Sequence, residues 1–348
     1  MILVPELYAR PRAELLAAAA ELGLGLRPHL EHDELVAELV HAHLAAGDEV
    51  WTEGVLSARP EGFGFLRLVA ADFAESAADA YVGPRQLRAL NLQNGHVVRG
   101  PVRAPKGDER YLALARAASV QGVPVEGAAD TAPFASRTQV APHRPIALGE
   151  GSSYASLSAG SPWRFGQRAL VHVPRAFNAT AWLRELADTL AAANPRARVW
   201  LCLLDQRPDA LATARDGDAV TVVGASFAAP PRRQVDIAEL ALDAATREVE
   251  RGADVVLLLD SLTALTHAVA RSAAPSGAWI QPGLDAHAVL AAKRLLAAAR
   301  QTGEGGSLTV VATLREDGDE LDRAIARELG PTSDLDVRPA QDGTRDEG

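Results

Sequence analysis

Between Ala169 and Thr313 the chain alternates short apolar runs with segments of helical periodicity, and that rhythm constrains the fold more than any other feature. The apolar runs are 169–173, 199–204, 219–223, 255–259 and 308–313, and the helical segments between them are 181–193, 233–251 and 286–299. Strand following helix following strand implies a parallel sheet covered by helices.

The first third of the chain reads differently. Two helical stretches, 11–24 and 32–46, flank a break at Gly23, Gly25 and Pro28 and predict a helical hairpin. From Val50 onward come five short strand-like runs near 51–56, 62–68, 80–84, 96–100 and 110–115, punctuated by turns, which predict a small five-stranded barrel. A Gly, Ala, Ser and Pro-rich stretch over 121–160 reads as a connector, and the polar tail from Leu329, with Pro331 and Pro339, is expected to fray. The expected organisation is a hairpin at 1–47, a barrel at 48–120, a connector at 121–160, an α/β domain at 161–330 and a tail at 331–348.

A chain of 348 residues with 48% hydrophobic residues suggests two or three cores. It has neither a leader-like start nor an apolar run of membrane-spanning length, so a cytoplasmic location is expected. Cys202, the one cysteine, lies in the apolar run 199–204 and reads as a small buried hydrophobe. The net charge of −10 argues against a basic sleeve on DNA, while leaving room for single strands held by stacking and a few arginines.

At the end of the first apolar run, Val173 to Thr180 occupies the strand-to-helix turn where an ATPase carries G-x-x-x-x-G-K-[ST]. Thr180 alone survives: Asn178 stands for the second glycine, and Ala179 stands for the lysine that would meet the β- and γ-phosphates. ATP hydrolysis is therefore not expected.

In the barrel, Phe63 and Phe65 fall on one side of a strand because side chains alternate faces, and Gly64 keeps the other side clear. Such a pair is a stacking surface for unpaired bases or part of the barrel core, and periodicity alone leaves both open. Arg67 nearby adds a cation for phosphate or stacking, and Tyr81 and Tyr111 are candidates to join the face.

Nearly the whole chain resembles the bacterial transcription termination factor Rho family. Glu61 to Arg67 matches the family's E/D-G-F-G-F-L-R, 81–84 resembles Y-V-S-P, and 105–111 resembles P-K-E-G-E-R-Y. The resemblance implies a cold-shock-like or OB-like barrel that binds single-stranded, pyrimidine-rich RNA through Phe63, Phe65, Arg67, Tyr81, Glu109 and Tyr111. It also implies that the second half is a RecA-like α/β domain of the P-loop ATPase type. Ser161 to Arg168 resembles S-P-I-G-R-G-Q-R and fixes the register of the loop, so both family lysines fall on alanines, Ala176 and Ala179.

By the same resemblance the vestigial nucleotide site comprises Pro174, Arg175, Asn178, Thr180, Arg207 and Asp260. Thr180 and Asp260 would meet a metal only if nucleotide binds. Gln206 stands where the family's L-I-D-E-R-P has the Glu that polarises the attacking water, and losing a general base costs ~10²- to 10⁴-fold. The family's translocation lysines are replaced at Gly277-Ala278 and Asp319-Glu320, and the C-terminal segment carrying its arginine finger has no counterpart in the tail. No residue is expected to be catalytic, and no cofactor is expected, with ATP and Mg entering only if residual nucleotide binding persists.

The losses fall on the motor and spare the RNA motif. The reading that follows is an RNA-binding, motor-inactive Rho paralogue that restrains Rho-dependent termination by competing for RNA or joining Rho rings. Its partners would be single-stranded RNA and Rho subunits or the transcription complex, with no membrane. Two alternatives stand beside it: an active Rho-type RNA-dependent ATPase with a divergent site using Arg175, and an RNA-binding scaffold unrelated to Rho.

Overall fold

The computed structural model describes residues 1–25, 30–127, 131–150, 152, 154, 157, 161–215, 217 and 219–339. Pro28 and residues 340–348 of the tail lie outside the described residues, as do parts of the 121–160 stretch. The chain divides into two compact units, Met1–Asp130 and Thr131–Gly348.

In the first unit, β1 (Ile2–Leu3) and α1 (Val4–Tyr8) precede the expected hairpin of α2 (Arg12–Glu21) and α3 (His32–Ala45). The barrel strands are β2 (Val50–Ala58), β3 (Gly64–Arg67), β4 (Ala80–Val82), β5 (Val97–Arg103) and β6 (Leu112–Leu114), with α4 (Pro84–Ala89) between β4 and β5. They pair in the order β2-β3-β4-β6-β5, and β5 returns to β2, so the barrel closes and leaves no open edge within the ring. A short hairpin of β7 (Ser119–Val120) and β8 (Val123–Pro124) extends from β5. Val98, Gly100 and Val102 of β5 are buried while Val97, Arg99, Pro101 and Arg103 are half-buried on the outside, as a period of two requires. Leu35, Leu39 and Val40 of α3 share one core with Leu56, Leu66, Val82, Val98 and Leu112 of the barrel.

In the second unit, the strands and helices alternate as β10 (Arg168–Val173), α5 (Ala179–Ala193), β11 (Arg198–Gln206), α6 (Pro208–Ala214), β12 (Thr221–Ser226), α7 (Pro231–Glu250), β13 (Asp254–Asp260) and α8 (Leu262–Ser272). The hairpin β14 (Trp279–Gln281) and β15 (Leu284–Asp285), then α9 (Ala286–Ala297), β16 (Arg300–Thr302), β17 (Ser307–Arg315), α10 (Glu320–Leu329) and β18 (Leu335–Val337) complete it. The main sheet is parallel in the order β12-β11-β13-β17-β10-β18. The antiparallel β16 runs beside the start of β17, and β9 (Gln139–Val140) pairs with it. Cys202 is buried in β11.

Two segments differ from the sequence reading. The tail does not simply fray: β18 pairs in parallel with β10, Val337 is buried, and Asp334 accepts from the Arg168 backbone and guanidinium at 2.9–3.0 Å. Nor is 121–160 only a connector. Ile146, Leu148 and Tyr154 enter the α/β core, and Arg137 donates to the Val249 and Glu250 carbonyls at the end of α7. Both segments are rich in Gly, Pro and polar residues, so a few apolar anchors hold them without any periodicity to announce it.

Candidate nucleic-acid interface and nucleotide loop

β3 seats against β2 because Gly64 has no side chain: a Cβ there would meet Leu56 Cδ1 at 2.7 Å and the Ser57 carbonyl at 3.0 Å. Leu66 points into the core and Phe65 points out. Phe63, Phe65 and Tyr81 are half-buried and Tyr111 is 46% exposed. Their rings form one cluster: Phe63–Phe65 centroids are 5.8 Å apart, Phe63–Tyr81 5.6 Å, Phe65–Tyr81 6.0 Å and Phe65–Tyr111 4.9 Å. Three of these contacts are edge-to-face and the Phe63–Tyr81 pair is tilted at 34°, and together they hold the rings in place. Tyr111 and Arg110 also border a groove of about 520 Å³ lined by Glu34, Glu38 and His41 of α3.

Arg67 differs from the exposed cation expected of it. Its side chain is buried, Nη1 donates to Asp79 Oδ2, and Nη2 donates to Glu75 Oε1 at 3.0 Å. Its Cζ lies 5.2 Å from the Phe65 ring centroid, so it supports that ring from within the fold. Burial pushes the Asp79 carboxyl up to about 6 against the pull of Arg67. Glu75 and Asp79 escaped the sequence reading because they lie between β3 and β4, where only barrel closure sets their position. Glu109 sits in a charged clamp: Arg103 donates to both oxygens at 2.6 and 2.9 Å, and the Lys106 backbone N–H donates at 2.9 Å. The Arg103 bonds hold its carboxyl down at about 2.

The loop between β10 and α5 satisfies its own backbone. Arg175 N–H donates to Asp317 Oδ1 at 2.6 Å, Phe177 N–H to the Pro174 carbonyl at 3.0 Å and Ala179 N–H to the Phe177 carbonyl at 2.9 Å. Asn178 caps α5, its Oδ1 accepting from Ala181 N–H at 3.2 Å. A phosphate-binding loop leaves such groups open for the anion. Phe177 folds back toward Trp182, 6.4 Å between centroids, and Trp182 packs on Tyr154 at 5.2 Å. Arg175 is exposed, and its side chain forms no ion pair among the described residues. Asp317 was missed because it becomes a neighbour of the loop only once β17 is known to lie beside β10.

Thr180, Gln206 and Asp260 converge beneath the loop. Thr180 Oγ1 lies 2.7 Å from both Gln206 Oε1 and Asp260 Oδ2. Gln206 Nε2 donates to the Leu204 carbonyl at 2.9 Å and to Asp260 Oδ2 at 3.1 Å, and Thr313 Oγ1 donates to Asp260 Oδ1 at 2.7 Å. Burial pushes the Asp260 carboxyl up. One hydroxyl proton cannot fill both contacts at Thr180, so the hydroxyl donates to one of these oxygens at a time. Thr180, Gln206, Thr313 and Asp260 are thus hydrogen-bonded to one another, with Thr180 and Asp260 the two oxygen donors that would meet a metal. Arg207 points to solvent and pairs with Asp209 at 2.9 Å, and Pro174 ends β10. Of the positions matched to translocation lysines, Ala278 lies before β14, and Asp319 caps α10 by accepting from Asp322 N–H at 3.0 Å.

Comparison with known proteins agrees with both halves. Residues 52–126 match the Rho termination factor, RNA-binding domain family. Transcription termination factor Rho from Pseudomonas aeruginosa is 33% identical over 339 residues, 95% of this chain and 81% of the relative. The Thermotoga maritima factor is 34% identical over 340 residues, covering 97% and 80%, and the Escherichia coli factor 31% over 339 residues, covering 95% and 81%. Among solved structures, the fold is similar to a prototypical ATPase from the type III secretion system of pathogenic bacteria, with a TM-score of 0.50 and 17% identity over 58% of each chain. It is also similar to the ATP synthase subunit NeqB from Nanoarcheaum equitans, with a TM-score of 0.51 and 16% identity over 64% of this chain and 57% of that one. Among the described residues no helix is long and apolar enough to cross a membrane.

Proposed function

This chain belongs to the transcription termination factor Rho family, and from that premise we propose that it grips single-stranded RNA on its barrel, runs no ATP-driven motor, and so restrains Rho-dependent termination. The observation that carries the reading is the contrast between the two sites. Phe63, Phe65, Tyr81 and Tyr111 offer ring faces to bases, whereas the loop amides at Arg175 and Ala181 are occupied by Asp317 and Asn178.

The RNA side of the reading rests on stacking, which contributes about 1–3 kcal/mol per base and tolerates any sequence. A pyrimidine preference would come from acceptors beside the rings. Glu109 is held ionised by Arg103, and a carboxylate accepts from the exocyclic amine of cytosine. Restraint of termination would follow from occupying RNA that an active Rho needs, or from entering its ring as a subunit that cannot turn over ATP.

On the motor side, no lysine stands at Ala176 or Ala179, and Gln206 carries no charge to draw a proton from water. The protein's own residues therefore supply no step of phosphoryl transfer.

The test is to titrate the purified protein into a Rho-dependent termination reaction while measuring C-rich RNA binding and RNA-stimulated ATP turnover. Tight RNA binding, no turnover and increased read-through are expected. Turnover comparable to an active Rho would overturn the motor reading, and unchanged read-through at saturating protein would overturn the restraint.

A further inference from the structure

We infer that Arg99 and Arg116, held over Trp51, form a second phosphate-binding point on the flank of the barrel, which lengthens the single-stranded RNA track beyond the aromatic face. The inference rests on the proposal that the barrel binds RNA.

Three separate segments bring these side chains together. Trp51 lies on β2 opposite Pro101 of β5, and Arg99 stands two residues from Pro101 on the same outer side. The segment after β6 runs along β5, with Ala115 N–H donating to the Pro101 carbonyl at 2.9 Å and Ala118 N–H to the Arg99 carbonyl at 2.8 Å. It approaches so closely that a Cβ on Gly100 would meet the Arg116 carbonyl at 2.1 Å. Arg99 Cζ thereby lies 5.8 Å, and Arg116 Cζ 5.9 Å, from the Trp51 ring centroid.

The chemistry of these two arginines differs from that of three others near the RNA face. Arg59, Arg67 and Arg103 are neutralised by Glu75, Asp79 and Glu109. Arg99 and Arg116 have no carboxylate partner among the described residues, and Glu53, opposite Arg99 in register, makes no ion pair with it. An indole orients a guanidinium without cancelling its charge or using up its N–H fork. Two oriented guanidiniums with free N–H groups match a phosphodiester, which accepts charge-assisted hydrogen bonds from such a fork.

Position favours RNA held by the same barrel. Arg103, whose partner Glu109 precedes Tyr111 by two residues, lies four residues from Arg99 on β5, roughly 13 Å along the strand. That separation falls within the ~4–16 nucleotide footprint of barrels of this kind. A strand stacked on Phe65 and Tyr111 and passing over β5 would bring its backbone to Arg99 and Arg116.

The test is equilibrium binding of oligocytidylates of about 4 and about 12 nucleotides across a salt series. The short probe should report the aromatic face alone. The double variant Arg99→Gln/Arg116→Gln should bind the short probe as the parent does, which also certifies its fold, and bind the long probe on the order of tenfold more weakly at low salt. Its log–log salt slope for the long probe should fall by about 1.4, two contacts at ~0.7 each for a single strand. Arg99→Lys/Arg116→Lys should keep most of the slope. An unchanged slope for the long probe in the Gln variant would overturn the inference. If Phe65→Ala still weakens binding of the short probe, the RNA-binding barrel stands without it. A parent protein that binds neither probe overturns both.

Discussion

The carboxylate of Asp317 holds the backbone N–H of Arg175 at 2.6 Å, so a side chain two residues past β17 occupies a loop amide that a phosphate would need. Lysine restoration alone therefore does not reopen the site. Ala179→Lys, alone or with Gln206→Glu, should show no thermal shift with ATP and magnesium and no turnover, because Asp317 still occupies the Arg175 amide. Adding Asp317→Ala should raise nucleotide affinity about tenfold or more, the worth of one charge-assisted bond. If Ala179→Lys binds ATP equally well with and without Asp317, the carboxylate is not the obstacle.

Gln206 is a structural amide as much as a missing base. Its Nε2 lies 3.1 Å from Asp260 Oδ2, so Gln206→Glu replaces a donor with a second carboxyl against a buried one. We expect a loss of about 1–3 kcal/mol in stability at neutral pH, read from the urea midpoint. A variant as stable as the parent would mean that the amide donation contributes little and that the site tolerates a general base.

Much of the architecture was legible in the sequence, and the reason is local. The barrel strands and five strands of the main sheet announce themselves by apolar runs bounded by turns. α6 and α8 follow their strands with almost no break, so Leu262 to Val269 merged with the apolar run before it. The aromatic face was legible because Phe63, Phe65 and Gly64 are neighbours in sequence. The burial of Arg67 was not, since Glu75 and Asp79 reach it only when β4 closes on β3. The loop's lost lysines were plain by register, while its self-satisfied amides needed strand order to bring Asp317 near.

The Arg103–Glu109 clamp carries a pH signature. The folded pKa of Glu109, about 2, lies below its ordinary value of 4.5, so the clamp's contribution is fully present above pH 4.5 and is lost as pH falls toward 2. In a carboxyl NMR titration Glu109 should titrate near 2 in the parent and move most of the way back to 4.5 in Arg103→Ala. The Lys106 N–H bond keeps it slightly below. A Glu109 that titrates at an ordinary value in the parent would show the clamp to be open in solution.

Phe65 and Arg67 share one outer strand face but should fail in opposite ways. Phe65 is half-buried in a ring cluster outside the core, so Phe65→Ala should leave a folded barrel that loses about 1–3 kcal/mol of RNA binding. Arg67 is the countercharge of Asp79, which is 1% exposed, and removing one partner of a buried pair costs about 3–5 kcal/mol because the other charge is left uncompensated. Arg67→Ala should therefore lower the denaturation midpoint, and its RNA affinity should fall only as the fold does. Asp79→Asn offers the cross-check. It removes the charge that burial already disfavours, so it should cost less than Arg67→Ala. If Arg67→Ala leaves the midpoint unchanged while RNA binding disappears, the guanidinium acts on RNA directly rather than through Phe65.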